Sequence, residues 1–280
     1  MARGVVVITG ASSGIGEACV RRLAAHGFRV FAGVRRPEAA ETWRGEPKVM
    51  PVRIDLADDQ SIAAAAREIQ DALNGERLAG LVNNAGIAVA GPLEYLPMER
   101  FRHQLEVNLV GHLAITQALL AALRAARGRI VNIGSVGGRV ALPMLSAYDA
   151  SKWALEGATD SLRRELRGFG VHVAIVEPGA VDTAIWGRAV EAADELVGQV
   201  PPEARELYGG LERAARREVE QSQRRAIPPD RVARAVHHAL TARRPRTRYL
   251  VGGEARMMVT LSRLLGDRGL DALIARRMRG

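Results

Sequence analysis

The stretch Val5-Val6-Val7-Ile8-Thr9-Gly10-Ala11-Ser12-Ser13-Gly14-Ile15-Gly16 decides the fold of this chain of 280 residues. Its first five residues are aliphatic or β-branched, which favours a buried strand. The glycines that follow allow a sharp turn, and the apolar positions Ala18, Val20 and Leu23 predict a helix beyond it. A strand that passes through a glycine turn into a helix is the first unit of a parallel α/β fold.

The glycine turn is also a candidate phosphate site. Its glycines let the backbone approach a pyrophosphate closely, and the helix N-terminus offers free N–H groups and the positive end of its dipole. The spacing G-x-x-x-G-x-G differs from the commoner G-x-G-x-x-G, and many glycine turns bind nothing. Because this turn follows the first strand and opens a helix, we predict dinucleotide binding through Gly10, Ser12, Ser13, Gly14, Ile15 and Gly16.

Outward from this unit, β-rich runs alternate with helical patterns. Six further strands are predicted at 29–33, 49–54, 81–83, 129–133, 171–176 and 248–251. Helices are predicted where apolar residues recur at helical spacing or where alanine and leucine dominate, at 62–73, 112–126 and 147–167. This alternation predicts an α/β fold: a single-domain Rossmann fold over residues 1–280, with a doubly wound seven-stranded parallel sheet and helices on both faces.

Two segments do not fit the alternation. Residues 187–229 form a charged helical insertion between the sixth and seventh strands, which we expect to be a lid over a substrate pocket. Residues 253–280 form a basic helical extension in which leucines alternate with arginines. This extension could associate weakly with an anionic membrane surface, or it could pack on the lid or on a neighbouring subunit.

Composition excludes several classes of protein. Apolar residues make up 48% and charged residues 25% of the chain, which is typical of a soluble globular domain. No apolar run approaches the roughly 18 residues that span a bilayer, and the N-terminal run is too short for a signal peptide. Cys19 is the only cysteine, so an internal disulfide and a cysteine-based zinc site are excluded. We therefore expect a cytoplasmic protein without a metal site.

The positive charge does not predict nucleic-acid binding. The formal net charge is +9, and residues 231–280 alone hold twelve arginines against three acidic residues, so the rest of the chain is neutral overall. Aromatic residues make up only 4%, too few for platforms on which bases stack. We expect no nucleic-acid partner.

The end of the second predicted strand indicates which dinucleotide binds. An NAD-selective site usually carries an acidic residue there, on the ribose 2′-OH. This strand holds Gly33 at the corresponding place and no acid, and Arg35 and Arg36 follow it. Because a guanidinium suits a phosphate, we predict NADP(H) bound through Arg35. The alternative is that both arginines are solvated loop charges.

Six motifs together resemble the short-chain dehydrogenase/reductase family. They are Thr9–Gly16 (T-G-A-S-S-G-I-G), Asn83–Gly86 (N-N-A-G), Asn108, Ser135, Tyr148–Lys152 (Y-D-A-S-K) and Pro178–Thr183 (P-G-A-V-D-T). They occur in the family's order, and the resemblance covers residues 4 to about 252. Residues 91–94 and 155–186 further resemble the branch that contains 17β-hydroxysteroid and retinol dehydrogenases. The resemblance implies hydride transfer between a nicotinamide cofactor and an alcohol or carbonyl compound.

The predicted catalytic residues are Asn108, Ser135, Tyr148 and Lys152. Carbonyl reduction needs a proton donor, and a lysine four residues after a tyrosine on one helix face could lower the phenol pKa by up to about three units. Lysine is rare here, since only Lys48 and Lys152 stand among 40 basic residues. The resemblance implies that Ser135 stabilises the substrate oxygen, that Lys152 also holds the nicotinamide ribose, and that Asn108 holds a water. The alternative for Ser135 is that its side chain caps a loop. The alternative for Asn108 is that its amide is hydrogen-bonded to the main chain.

The resemblance implies the remaining cofactor contacts. Asp55, next to Leu56, would contact the adenine amino group. The adenosine ribose would lie against Asn84, Ala85 and Gly86. The nicotinamide carboxamide would be flanked by Pro178, Gly179, Val181 and Thr183. Gly134 stands where a second serine often precedes Ser135, and we expect no effect from this departure.

The substrate is expected to be bulky and apolar, steroid- or retinoid-like. Residues 136–145, which lead from Ser135 to Tyr148, are almost wholly apolar, and Trp186 begins the predicted lid. An alternative is a reductase of carrier-bound 3-oxoacyl groups or of sugar-derived ketones. An alternative of another class is a non-catalytic NADP(H) sensor, which loss of Tyr148, Lys152 or Ser135 would favour. The resemblance also implies a homodimer or homotetramer.

Overall fold

In a computed structural model, which describes residues 3–197 and 201–279, seven strands form one parallel sheet. Their order across the sheet is β3-β2-β1-β4-β5-β6-β7, which confirms the predicted doubly wound fold. The strands are β1 (Val5–Ile8), β2 (Arg29–Val34), β3 (Val49–Arg53), β4 (Leu78–Asn83), β5 (Arg129–Ile133), β6 (His172–Pro178) and β7 (Arg248–Val251). Each run predicted as a strand is one, although β4 begins three residues earlier and β6 ends two residues later than expected.

Helices cover both faces of the sheet. They are α1 (Gly14–Ala25), α2 (Asp59–Leu73), α3 (Met98–Leu105), α4 (Gly111–Ala125), α5 (Ser146–Glu165), α6 (Ile185–Val197), α7 (Pro202–Arg224), α8 (Pro229–Thr241) and α9 (Gly253–Arg279). One apolar core joins α1 and α8 to one face, and a second joins α2, α4 and part of α5 to the other. Burial on both faces is why the strands are continuous apolar runs, as in β1, which is wholly buried.

The sheet order reverses between β1 and β4. From β1 the chain passes outward to β2 and β3, then returns to β4 on the other side of β1. In open parallel sheets, ligands bind at such a reversal, beyond the carboxyl ends of the strands. The loops that follow β1 and β4 lie at this point.

The predicted insertion contains two helices. It begins inside α6 and includes α7, and its residues 198–200 lie outside the described part of the chain. The helix α9 is broken at Gly266, where φ is 62° and ψ is 179°, so the basic extension consists of two helical halves. Met1, Ala2 and Gly280, the ends of the predicted domain and extension, also lie outside the described residues.

One continuous helical segment, Met98–Ala125, is long and apolar enough to cross a membrane by length and composition. Its residues Ile115, Leu119 and Leu123 have no exposed surface and pack in the core against the sheet. That face is typical of the core helix of a folded domain.

Candidate active site

The glycine turn after β1 leaves room for a ligand backbone rather than for side chains. Gly10 and Gly14 have φ values of 65° and 59°, in the left-handed region. A Cβ on Gly16 would stand 2.1 Å from the carbonyl oxygen of Gly10. Ser13 precedes α1 without capping it through its side chain, so the first N–H groups of the helix lack that partner. The geometry of this cradle suits a pyrophosphate; the contacts predicted for the turn stay a prediction.

Thr9 and Asn84 tie the turn to the loop after β4. The main-chain N–H groups of Asn84 and Ala85 donate to Thr9 Oγ1 at 2.9 and 3.0 Å. The Asn84 side chain donates to the carbonyl oxygens of Thr9 and Gly10 at 2.9 and 3.0 Å. Sequence reasoning assigned Asn84 and Ala85 to ribose contacts, and it missed Thr9, whose hydroxyl orders both loops.

The end of β2 has no room for an acidic side chain. A Cβ on Gly33 would stand 2.8 Å from Ile54 Cδ1 and 2.9 Å from the carbonyl oxygen of Ile8. Arg35 lies one residue beyond β2 and is exposed. Beyond β3, Asp55 is half-buried and accepts from the N–H of Ala57 at 3.1 Å, whereas Leu56 is buried under the start of α4.

The loop after β6 reaches the glycine turn. A Cβ on Gly14 would stand 2.9 Å from Thr183 Cγ2, so the two loops are in contact. Gly179 is held by its N–H, which donates to the carbonyl oxygen of Val251 at 3.1 Å. Val181 forms a bridge with Ile227, and Pro178 ends β6. The structure therefore brings the predicted nicotinamide-flanking residues to the same edge as the predicted phosphate turn.

Ser135 follows β5 and lies at the carboxyl edge of the sheet, as predicted. Its Oγ accepts from the N–H of Gly137 at 3.0 Å, so it does cap a short 3-10 turn. It is buried, with 8% of its surface exposed, and it lines a cavity of about 430 Å³. In the cap the hydroxyl acts only as an acceptor, so its proton is available for a hydrogen bond to another oxygen.

Tyr148 and Lys152 project from the first turns of α5. Both are buried, and Lys152 Nζ stands 5.8 Å from the centre of the Tyr148 ring. The ammonium group donates to the carbonyl oxygen of Ile133, at the end of β5, at 2.9 Å. Trp186, in α6, contacts the Tyr148 ring edge-to-face at 5.4 Å between ring centres.

The pKa of Tyr148 lies above its ordinary value in this arrangement, whereas the sequence predicted that Lys152 would bring it below that value. Burial raises the pKa of Tyr148 to about 12, and the hydrogen bond with Ser135 opposes that rise. Burial lowers the pKa of Lys152 to about 8. The physical reason is that the interior penalises both charged forms, while the ammonium group bonds to Ile133 instead of to the phenol oxygen.

Asn108 lies in a π-helical turn, Glu106–Val110, between α3 and α4. Its side chain has no exposed surface. Its Oδ1 accepts from the N–H of Ile87 at 2.9 Å, and its Nδ2 donates to Ile87 O at 3.0 Å and to Ser151 Oγ at 3.1 Å. The amide thus joins the β4 loop to α5, which matches the main-chain-bonded alternative; its role toward a water stays a prediction.

Asp149 and His112 are buried titratable residues that sequence reasoning missed. Asp149 follows Tyr148, and its Oδ2 accepts from the N–H of Leu142 at 2.7 Å. Burial raises the pKa of Asp149 to about 7, against the effect of that hydrogen bond. Burial, reinforced by Lys152, lowers the pKa of His112 to about 3, so its neutral ring donates from Nε2 to Ala85 O at 2.7 Å. The Y-D-A-S-K motif could have drawn attention to Asp149, since an acid stands beside the tyrosine.

A cavity of about 430 Å³ opens beside Ser135. This volume falls within the ~300–1,000 Å³ of typical small-molecule sites. Its walls come from the 136–145 loop, from the loop after β4, and from α6, α7 and α9. The lining near Ser135 is apolar and includes Val136, Leu142, Pro143, Met144, Leu145 and Trp186.

A parallel sheet with a glycine cradle at its reversal point, and a serine, tyrosine and lysine beside an apolar cavity, defines a dinucleotide-binding oxidoreductase fold. The family model described as short chain dehydrogenase matches residues 4–194. The chain belongs to the short-chain dehydrogenase/reductase family and is an enzyme of that family acting on CH–OH or carbonyl groups.

Its relatives include reductases and dehydrogenases. A 3-amino-tetrahydro-pyrrolizinone reductase of Xenorhabdus hominickii is 38% identical over 97% of this chain and 94% of its own length. An NADPH-dependent 3-dehydrocapnine reductase of Ornithobacterium rhinotracheale is 34% identical over 95% and 94%. Human retinol dehydrogenase 16 is 39% identical over 90% and 82%. The chain therefore falls in the branch with retinol and steroid dehydrogenases, as predicted from its motifs.

Solved structures agree on the fold. A short chain dehydrogenase from Burkholderia cenocepacia in complex with NADP has a TM-score of 0.73 and 30% identity, over 99% of this chain and 98% of that one. A short chain dehydrogenase/reductase from Burkholderia phymatum in complex with NAD has a TM-score of 0.79 and 25% identity, over 94% of each chain.

Asp149 makes the stability of the protein depend on pH. Its carboxyl pKa is near 3.9 in an unfolded chain and about 7 when folded, so the folded state retains a proton that the unfolded state has lost. The contribution of Asp149 to stability is complete below about pH 4 and is lost as the pH rises through 7. Asp149→Asn should therefore gain stability relative to the parent between pH 4 and pH 8, by about 1–3 kcal/mol.

Urea unfolding at pH 5 and pH 8 measures this difference, with Asp71→Asn, an exposed carboxylate of α2, as the control. A difference between Asp149→Asn and the parent that does not change with pH would contradict the assignment.

Proposed function

We propose that the protein is an NADP(H)-dependent oxidoreductase that interconverts an alcohol and a carbonyl group on a bulky apolar substrate. The observation that carries this proposal is the position of Ser135, which lines an apolar cavity next to the buried pair Tyr148 and Lys152. The bound cofactor supplies or accepts the hydride. The residues of the chain orient the carbonyl and move the proton.

Tyr148 acts as the proton-transfer residue in this proposal. With a pKa of about 12, its hydroxyl is protonated at neutral pH, so it can donate to a developing alkoxide. Ser135 donates a hydrogen bond to the same oxygen. Lys152, with a pKa of about 8, is mostly charged at neutral pH and stabilises the phenolate left after transfer.

The cofactor proposal rests on the residues at the end of β2. The lack of space at Gly33 excludes an acid that would bind the ribose 2′-OH, and exposed Arg35 provides a guanidinium beside it. The NADPH-dependent relative and the NADP-bound structural neighbour support the same choice, whereas another neighbour binds NAD. We place NADP(H) on the residues predicted from the sequence, with Arg35 on the 2′-phosphate.

The substrate proposal rests on the cavity. Its apolar lining suits a hydrophobic molecule. Two of the arginines that face it are paired with carboxylates: Arg216 with Glu212 and Asp194, and Arg277 with Glu218. Because such pairs satisfy their own charges, they offer little to an anionic substrate. The retinol dehydrogenase relatives support an apolar substrate.

Other functions are less well supported. A reductase of 3-oxoacyl or sugar-derived ketones stays the alternative within enzymes, and two relatives are reductases named for other compounds. A non-catalytic sensor is not favoured, since Ser135, Tyr148 and Lys152 are all present. Exposed Leu113 of α4 and Trp153 of α5 offer apolar surface to a homodimer or homotetramer. The cytoplasmic location and the lack of a nucleic-acid partner stay predictions.

Tyr148→Phe tests the proton transfer. Removal of the phenolic oxygen should lower kcat by about 10²–10⁴-fold, because general acid–base catalysis contributes that much. NADPH affinity, measured by quenching of protein fluorescence, should stay close to that of the parent. Retention of more than about a tenth of kcat would show that another group moves the proton.

Arg35→Ala tests the cofactor. We expect NADP(H) affinity to fall by about 1.5–3 kcal/mol while NAD(H) affinity hardly changes, because only NADP(H) carries the 2′-phosphate. Calorimetric titration with both cofactors measures this. Arg44→Ala, which removes an equal charge at another exposed arginine, is the control. Equal affinity of the parent protein for both cofactors contradicts the proposal.

A comparison of kcat/KM tests the substrate class. A steroid ketone and retinal should be reduced with a kcat/KM at least about tenfold above that of a small polar ketone or an acetoacetyl thioester, since each apolar group buried adds binding free energy. Preference for either of the latter two would overturn the substrate claim and leave the catalytic assignment standing.

A further inference from the structure

The second half of helix α9, which follows the break at Gly266, reaches the substrate cavity. After the break at Gly266, α9 turns so that Leu273, Ile274 and Met278 line the same cavity as Ser135. The first half of α9 contributes Met257, Met258 and Leu261 to that lining. Residues 267–279, which follow the last strand of the sheet in the sequence, therefore form one wall of the cavity.

Arg277 fastens this wall to two other elements. Its guanidinium pairs with Glu218 of α7 through two nitrogens, one of them, Nε, at 2.7 Å. It also pairs with Glu254, in the first turn of α9, at 3.0 Å. These pairs are only partly exposed, and planar two-nitrogen pairing fixes orientation as well as distance. Arg277 thus holds the end of α9 against both the start of α9 and helix α7.

The apolar residues of this segment divide into two groups. Leu264, in the first half of α9, is 76% exposed and does not line the cavity. Leu273 is 36% exposed, and its remaining surface faces the cavity or the protein. Leu273 thus contributes to the cavity wall, whereas Leu264 does not.

We propose that residues 267–279, which we call the C-terminal wall, set the length of the substrate that the enzyme accepts, with Leu273 as a specificity-determining residue. Arg277 is a positioning residue that holds the wall against α7. This inference rests on the proposed function, because it assigns the cavity to the substrate. It adds that specificity resides in a segment distant in sequence from every catalytic residue.

The test uses methyl ketones of increasing alkyl length with the full chain and NADPH. Leu273→Trp should fill the cavity and lower the ratio of kcat/KM for the longest to the shortest ketone by about tenfold, the scale on which hydrophobic pockets discriminate size. Leu273→Ala should raise that ratio. Leu264→Trp, the same change at an exposed leucine of α9, should leave the ratio unchanged.

Arg277→Gln tests the positioning role, with Arg276→Gln as the neighbouring control. Loss of the charge should release the wall and change KM for the longest ketone by about fivefold or more, while kcat for the shortest ketone stays within about twofold. For Arg276→Gln, the ratio of kcat/KM for the longest ketone to that for the shortest ketone should equal the ratio of the parent. An equal loss of kcat for all ketones would indicate a merely structural role and overturn the proposal.

A binding readout separates failure of this inference from failure of the proposed function. The increase in Tm of the NADP⁺-loaded protein on adding each ketone reports binding without turnover. One outcome is that no ketone is reduced, while the length-dependent increase in Tm is lost in Leu273→Trp and kept in Leu264→Trp. That outcome supports the proposed role of the C-terminal wall and contradicts the proposed function. A length dependence that Leu273→Trp and Leu273→Ala leave unchanged, or a parent protein that binds no ketone of the series, contradicts the wall.

Discussion

The first turn of α1 lies so close to the end of β1 that no side chain fits between them, since a Cβ on Gly16 would stand 2.1 Å from Gly10 O. This approach sets the N-terminus of α1, with its positive dipole end, at the sheet edge. Asn84 then uses its side chain to bind the carbonyl oxygens of the turn, which brings the loop after β4 alongside. Thr183 rests on Gly14 and adds the loop after β6. Three loops from distant parts of the sequence thus converge because Gly10, Gly14 and Gly16 carry no side chains.

A buried polar chain places the catalytic helix against the sheet. Asn83 donates to Thr116 and to Asn132, and Asn132 donates to Thr159, so α4, β4, β5 and α5 are connected in series. Buried amide networks of this kind specify one register, because any shift leaves polar groups unpaired. The network fixes α5 at the height where Lys152 reaches the end of β5. The chemistry of the site therefore depends on amides that contact no ligand.

The sequence and the structure agree where local pattern determines the outcome. Strands of a parallel sheet are continuous apolar runs, so Val5–Ile8 and its six counterparts were predictable, as was a doubly wound parallel sheet from the alternation of strands and helices. The pKa of Tyr148 could not be predicted from the sequence, because it depends on desolvation by residues remote in sequence and on a lysine that is hydrogen-bonded to Ile133. The path of α9 could not be predicted from the sequence either, since Gly266 is one glycine in an otherwise helical pattern.

The position of the C-terminal wall affects how the protein is made. The chain completes its sheet at Val251, but part of the cavity wall belongs to residues 267–279, which are synthesised after the sheet. During synthesis the Rossmann core can therefore fold while the pocket is still open on one side.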